Sequence, residues 1–146
     1  MYGTALFLHF TGLFLWIGAL VFSAASLLLM KPQFQSVGIR QLAVRMTKLS
    51  MPWSHSGALL VLLSGVYMIL VLDMGSDKPL WLSAMEKGGG SLLLLSAVFA
   101  GITASKTIKR IANPDAPNAN IKSYVIVAAV SLILSLALLF IVSMKY

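Results

Sequence analysis

The sequence predicts an all-α integral membrane protein: a four-transmembrane-helix bundle with both termini on the non-cytoplasmic side. Three observations predict it. First, 59% of the 146 residues are hydrophobic and only 10% are charged, with a mean hydropathy of +0.92. Soluble domains carry about 25% charged residues. Second, four apolar runs, at about 4–30, 49–72, 88–105 and 121–143, match the roughly 20 residues that cross a bilayer. Third, eight of the eleven Lys and Arg lie after the first run or between the third and fourth, where only one acid occurs. The positive-inside rule puts those segments in the cytoplasm. The whole chain, 1–146, reads as one domain.

The composition also excludes chemistry. There is no cysteine, so disulfides, thiolate metal sites and thiol catalysis are out. The net charge of +7 follows the topology, so the expected partner is the lipid bilayer and no nucleic acid. No Lys or Arg precedes the first apolar run, so a cleavable leader lacks its basic start and the first helix is expected to stay.

The first span holds no Asp, Glu, Lys or Arg from Thr4 to Met30. It ends at Lys31-Pro32, since proline disfavours helix in the residue before it. His9, Gly12, Trp16, Ala19 and Ser23 share one face at helical spacing. Small residues favour helix contacts in membranes, so His9 is expected to point into the bundle.

The second span starts near 49, with Pro52 in its first turn. A start near Gln41 would make that proline a kink. Its small face is Ser54, Gly57, Ala58, Val61, Gly65 and Met68. The link at 73–87 is short and mixed, with Trp81 as an interface anchor. Gly88-Gly89-Gly90 opens the third span, whose small face is Ala97, Ala100, Gly101 and Ala104. Asn113-Pro114-Asp115-Ala116-Pro117-Asn118 is a turn-rich linker. Ser131 and Ser135 lie one turn apart in the fourth span.

His9 is the candidate for chemistry, because an ionisable side chain inside a membrane is costly. One reading is a buried histidine bonded to a hydroxyl or carbonyl of a neighbouring helix. The other is a metal ligand, with haem iron leading, since neutral imidazole is its usual axial donor. His55 is the only other histidine. The two differ in depth by roughly 13 Å at 1.5 Å per residue, which argues against a bis-histidine pair. His55 reads instead as a polar inner-leaflet residue, bonded near Ser54 or to a headgroup.

Met68 matches the depth of His9. Asp73, Met74, Met85, Glu86 and Lys87 lie nearer the surface. His9 with Met68 is a mixed-ligand haem site. His9 with Met68, Met74 or Met85 is a copper(I) site, since that ion takes thioethers. Methionine is also a common gap-filler in cores. Glu86 and Lys87 are either a solvated membrane-edge pair or partners of a cofactor propionate and relays to His9. Trp16 is a packing residue or borders the cofactor. Arg40, Arg45 and Lys48 are read as topology determinants that touch anionic lipid.

His9, Trp16 and Ile17-Gly18 resemble the first helix of bacterial copper-resistance D-type membrane proteins. They also resemble the small four-helix group that includes the haem-containing J-type protoporphyrinogen oxidase. Gly57 and Ser64-Gly65-Val66-Tyr67-Met68 resemble their second helix. Trp81-Leu82, Lys87 and the Leu-rich run resemble the start of their third, and Asn113-Pro114 is a faint further likeness. The resemblance implies a four-helix bundle in the bacterial cytoplasmic membrane, with haem b or a metal at His9 and a functional Lys87. The sequence departs from that pattern in the third span, which has no histidine, and before the last helix, where the oxidase's arginine- and glutamate-bearing segment is poorly matched.

Three functions follow as expectations. The first is a small haem-b protein with a redox role and His9 as axial ligand. The second is copper(I) binding or transport at the outer membrane face. The third is a non-catalytic subunit of a membrane complex, or a homo-oligomer, joined through small helix faces.

Overall fold

The computed structural model describes residues 2–72, 80–113 and 119–144. Its described residues are helical almost throughout. Helix α1 spans Tyr2–Met30 and α2 spans Val37–Leu72, joined by a short 3-10 turn at Lys31–Gln33. A helical turn, α3, at Leu80–Ser83 runs through a π-helical turn at Ala84–Gly89 into α4, Gly90–Ala112. Helix α5 spans Lys122–Met144. Four of these segments are long and apolar enough to cross a membrane.

The helices form a ring. α1 packs most extensively on α2, α2 on α4, and α4 on α5, while α1 and α5 close the ring with the thinnest contact. Each long helix buries one narrow stripe. On α1 it is Ala5, His9, Gly12, Trp16, Leu20, Ser23, Ala24 and Leu27, at steps of mostly three and four. The expected face is therefore present, with Leu20 in place of the half-buried Ala19. On α5 the stripe is Tyr124, Ala128, Ser131 and Ser135. The remaining faces of the four long helices expose large apolar side chains.

The tightest contact is glycine on glycine. A Cβ on Gly12 would stand 2.8 Å from the carbonyl oxygen of Gly57, and one on Gly57 would stand 2.7 Å from that of Gly12. Only residues without a side chain let the two backbones approach so closely. Among the described residues, polar ties also cross the bundle, Ser96 to Ser131 at 2.7 Å and His9 to α2 among them.

Three boundaries differ from the sequence reading. The second helix begins at Val37 and not near 49, so Pro52 lies inside it. The polar start of α2 is helical because it packs: Ala43 and Thr47 are buried with Phe34, Ile111 and Ile121. Thr47 and Ser50 hydroxyls donate to carbonyls of the turns beside Pro52, at 2.9 and 3.0 Å. The third span starts earlier than 88 and ends later than 105. The three glycines do not interrupt it; Gly88 and Gly89 pack on Leu138 of α5. Asp73, Met74, Asp77, Lys78, Pro79, residues 114–118 and the side chain of Trp81 lie outside the described residues.

Charge follows the ring. Lys31, Arg40, Arg45, Lys48, Lys106, Lys109, Arg110 and Lys122 collect at one end, hereafter the basic end. Arg40 donates to the Asn113 carbonyl at 3.0 Å and Arg110 to the Asn120 carbonyl at 3.4 Å, tying the chain ends of α4 and α5 to the bundle.

Candidate functional site

His9 lies in the half of the bundle away from the basic end. Its ring is turned inward from α1 and is 8% exposed. Nδ1 stands 3.1 Å from the Val61 carbonyl oxygen and 3.1 Å from the Ser64 hydroxyl, both on α2. A carbonyl oxygen only accepts, so Nδ1 carries the hydrogen. The Ser64 hydroxyl donates its own hydrogen to the Leu60 carbonyl and accepts from Nδ1. In the neutral imidazole the lone pair is then on Nε2. Nε2 has no hydrogen-bond partner among the described residues.

Local sequence explains this placement. Gly65 gives the ring room: a Cβ there would meet the ring's Cε1 at 3.4 Å. Gly12 and Gly57 draw α1 and α2 together one to two turns deeper, which brings Nδ1 within reach of a backbone carbonyl. A groove of about 460 Å³ opens between α1 and α2 nearby, lined by Thr4, Ala5, Leu8, Leu60, Ser64 and Tyr67 among others; His9 itself does not line it. Ala5 and Leu8 flank His9 on α1, and Ser64 is its bonding partner.

The other sequence candidates are spread more widely. Met68 is buried one turn beyond Ser64 on the same face of α2. Trp16 is 2% exposed and sits at the glycine crossing, with an indole N–H that has no acceptor among the described residues. Met85 and Glu86 are half-buried and Lys87 is exposed, all three in the π-helical turn. That turn was not anticipated. The glycine run after Lys87 was its only sequence signal, and π turns recur at functional sites. Asp73 and Met74 are outside the described residues.

His55 does not join His9. Its Nδ1 donates to the Met51 carbonyl of its own helix at 2.8 Å, one turn before His55. Its Nε2 lies against Gly101 of α4. The α2 residues that His9 touches are six to ten positions further along, or about 9–15 Å. A metal–imidazole bond is about 2 Å, so the two rings do not share an ion. Among the described residues no three His, Asp or Glu side chains group closely enough to bind a metal. A porphyrin needs no such group, because the macrocycle itself supplies the in-plane nitrogens. One imidazole with its lone pair free on Nε2 fits an axial position, and the Nδ1–H bond to a backbone carbonyl is the usual support of a ligating histidine.

Comparison with protein-family models, curated proteins and solved structures finds no match to this chain.

Proposed function

We propose that the chain is a small haem-b protein of the bacterial cytoplasmic membrane with a redox role, in which His9 Nε2 is an axial ligand. The observation that carries this is the placement of Nδ1, 3.1 Å from the Val61 carbonyl and from the Ser64 hydroxyl, which assigns the hydrogen to Nδ1 and leaves Nε2 without a partner among the described residues. A b-type haem supplies one-electron chemistry when bound, at a potential set by its axial ligands and burial. The residues of this chain do the rest. Val61 and Ser64 keep the imidazole neutral and fix its direction. Met68, buried one turn beyond Ser64, would be available as a thioether donor, and Lys87 with Glu86 in the π-helical turn would offer charged partners for the group's carboxylates. Trp16 would add buried apolar surface on α1.

By the positive-inside rule the basic end is cytoplasmic, so His9 lies toward the non-cytoplasmic face and both termini are outside. Protein purified from haem-sufficient cells is expected to show a Soret band that His9→Ala removes. A band of equal intensity in His9→Ala overturns the ligand assignment.

A second reading rests on the same bonds. His9 then only pins α1 to α2, in a non-catalytic subunit of a larger membrane complex. The bonds of Nδ1 to Val61 and Ser64, which a clasp needs and a ligand only benefits from, are what it rests on. It predicts colourless protein and co-purifying subunits. Copper(I) binding through His9 and Met68 is separated from both by titration: stoichiometric uptake lost in Met68→Leu supports it.

A further inference from the structure

A second groove lies on the other half of the α1–α2 seam, toward the basic end. It encloses about 380 Å³ and is lined by Phe14, Gly18 and Phe22 of α1 with Leu49 and Trp53 of α2. Drug-sized ligands occupy pockets of roughly 300–1,000 Å³. Its wall is almost wholly apolar and it opens sideways, toward the acyl chains. Three features distinguish it from the rest of the lipid-facing surface.

The first is charge in register. Arg45, Leu49 and Trp53 follow at four-residue steps, so they form one stripe along α2, with Arg45 one turn beyond the groove's Leu49 edge on the side of the basic end. Lys48 adjoins it. Neither cation has a hydrogen-bond or ionic partner among the described residues. The second is the indole of Trp53. It is 55% exposed, its N–H has no partner among the described residues, and helical side chains lean toward the helix N-terminus, here toward Arg45. The third is the floor. A Cβ at Gly18 would meet nothing within 4 Å, so the space above it is open.

An apolar slot with an indole N–H on its wall, and with a guanidinium and an ammonium within one turn of its Leu49 edge, both without a partner among the described residues, matches one kind of molecule. We infer that this groove holds an anionic phospholipid of the cytoplasmic leaflet, with an acyl chain over Gly18 and the phosphate between Arg45, Lys48 and the Trp53 indole. A neutral lipid fills the slot equally well and leaves the cations unpaired. A soluble anion meets the cations and leaves the slot unused.

The test is native mass spectrometry of the full chain in detergent, titrated with phosphatidylglycerol or phosphatidylcholine. Wild type is expected to retain one phosphatidylglycerol in preference to phosphatidylcholine. Arg45→Gln is expected to lower that preference about fivefold, the worth of one basic residue at an anionic surface. Gly18→Leu fills the slot and is expected to abolish retention of both lipids, with an unchanged helical circular dichroism spectrum. Lys109→Gln removes a cation at the same end but on α4, and is expected to bind as wild type does. Equal retention of the two lipids by wild type overturns the inference. So does full retention in Gly18→Leu, or a loss in Lys109→Gln as large as that in Arg45→Gln, which would make the attraction diffuse.

Discussion

Gly57→Ala is the sharpest test of how α1 and α2 are joined. The added Cβ would stand 2.7 Å from the Gly12 carbonyl oxygen and 2.9 Å from the Leu15 Cβ, and would press on the Trp16 backbone nitrogen. Carbon atoms pack best at about 3.5–4.0 Å. Two of the three neighbours are backbone and the third is a Cβ, so no rotamer change relieves the clash. The helices must part by about 1 Å. Overpacking of this kind costs about 1–3 kcal/mol, and a site walled by backbone belongs at the upper end. Alanine returns about 1 kcal/mol of helix propensity. The net loss is about 2 kcal/mol. Gly18→Ala is the control, since its Cβ enters open space and keeps the propensity gain. Thermal unfolding in detergent, followed by circular dichroism, compares the two. Gly57→Ala is expected to melt well below wild type and Gly18→Ala at or above it. Equal melting temperatures for the two variants would refute the close-contact argument.

The other predictions concern the polar ties and the site. Ser96→Ala breaks the 2.7 Å bond to Ser131 and should cost about 0.6 kcal/mol, the average for hydrogen bonds between membrane helices, read from the same melts; a stabilised variant contradicts it. Ser64→Ala leaves Nδ1–H on the Val61 carbonyl, so haem should still bind, but about 10-fold more weakly, as for lost supports of ligating histidines. Haem retention unchanged in a competition with apomyoglobin counts against Ser64 as a support. Met68→Leu should leave haem bound through His9 alone and turn its spectrum high-spin; an unaltered spectrum removes Met68 from the site.

Much of the bundle was legible because lipid simplifies the code. A membrane helix must satisfy its backbone internally, so long apolar runs have one solution, and the ends of α1 and α5 fall within two residues of the runs that predict them. The small faces were legible for the same reason: Gly12, Gly57, Ala58 and Ala100 are where close approach demands them. The start of α2 was not, because Arg40, Arg45 and Lys48 read as a loop to hydropathy. What accompanies its helix is burial: Ala43 joins one core cluster with Phe34, Ile111 and Ile121, which come from distant segments, and Thr47 is buried too. The π turn at Ala84–Gly89 was hidden for a related reason, since its glycines pack on Leu138 far along the chain. At the site, the sequence singled out His9 and its inward direction. It did not reveal that Val61 and Ser64 fix the tautomer. Hydrogen bonds across helices leave no periodic mark.

The claim on which the rest depends is that Nε2 of His9 is reserved for a haem iron. An absorption spectrum of wild-type protein, expressed with ample haem and purified in mild detergent, measures this most directly. A Soret band at about one haem per chain, with α and β bands on reduction, is expected. A colourless preparation at full helical content contradicts it, and leaves His9 as a clasp between two helices.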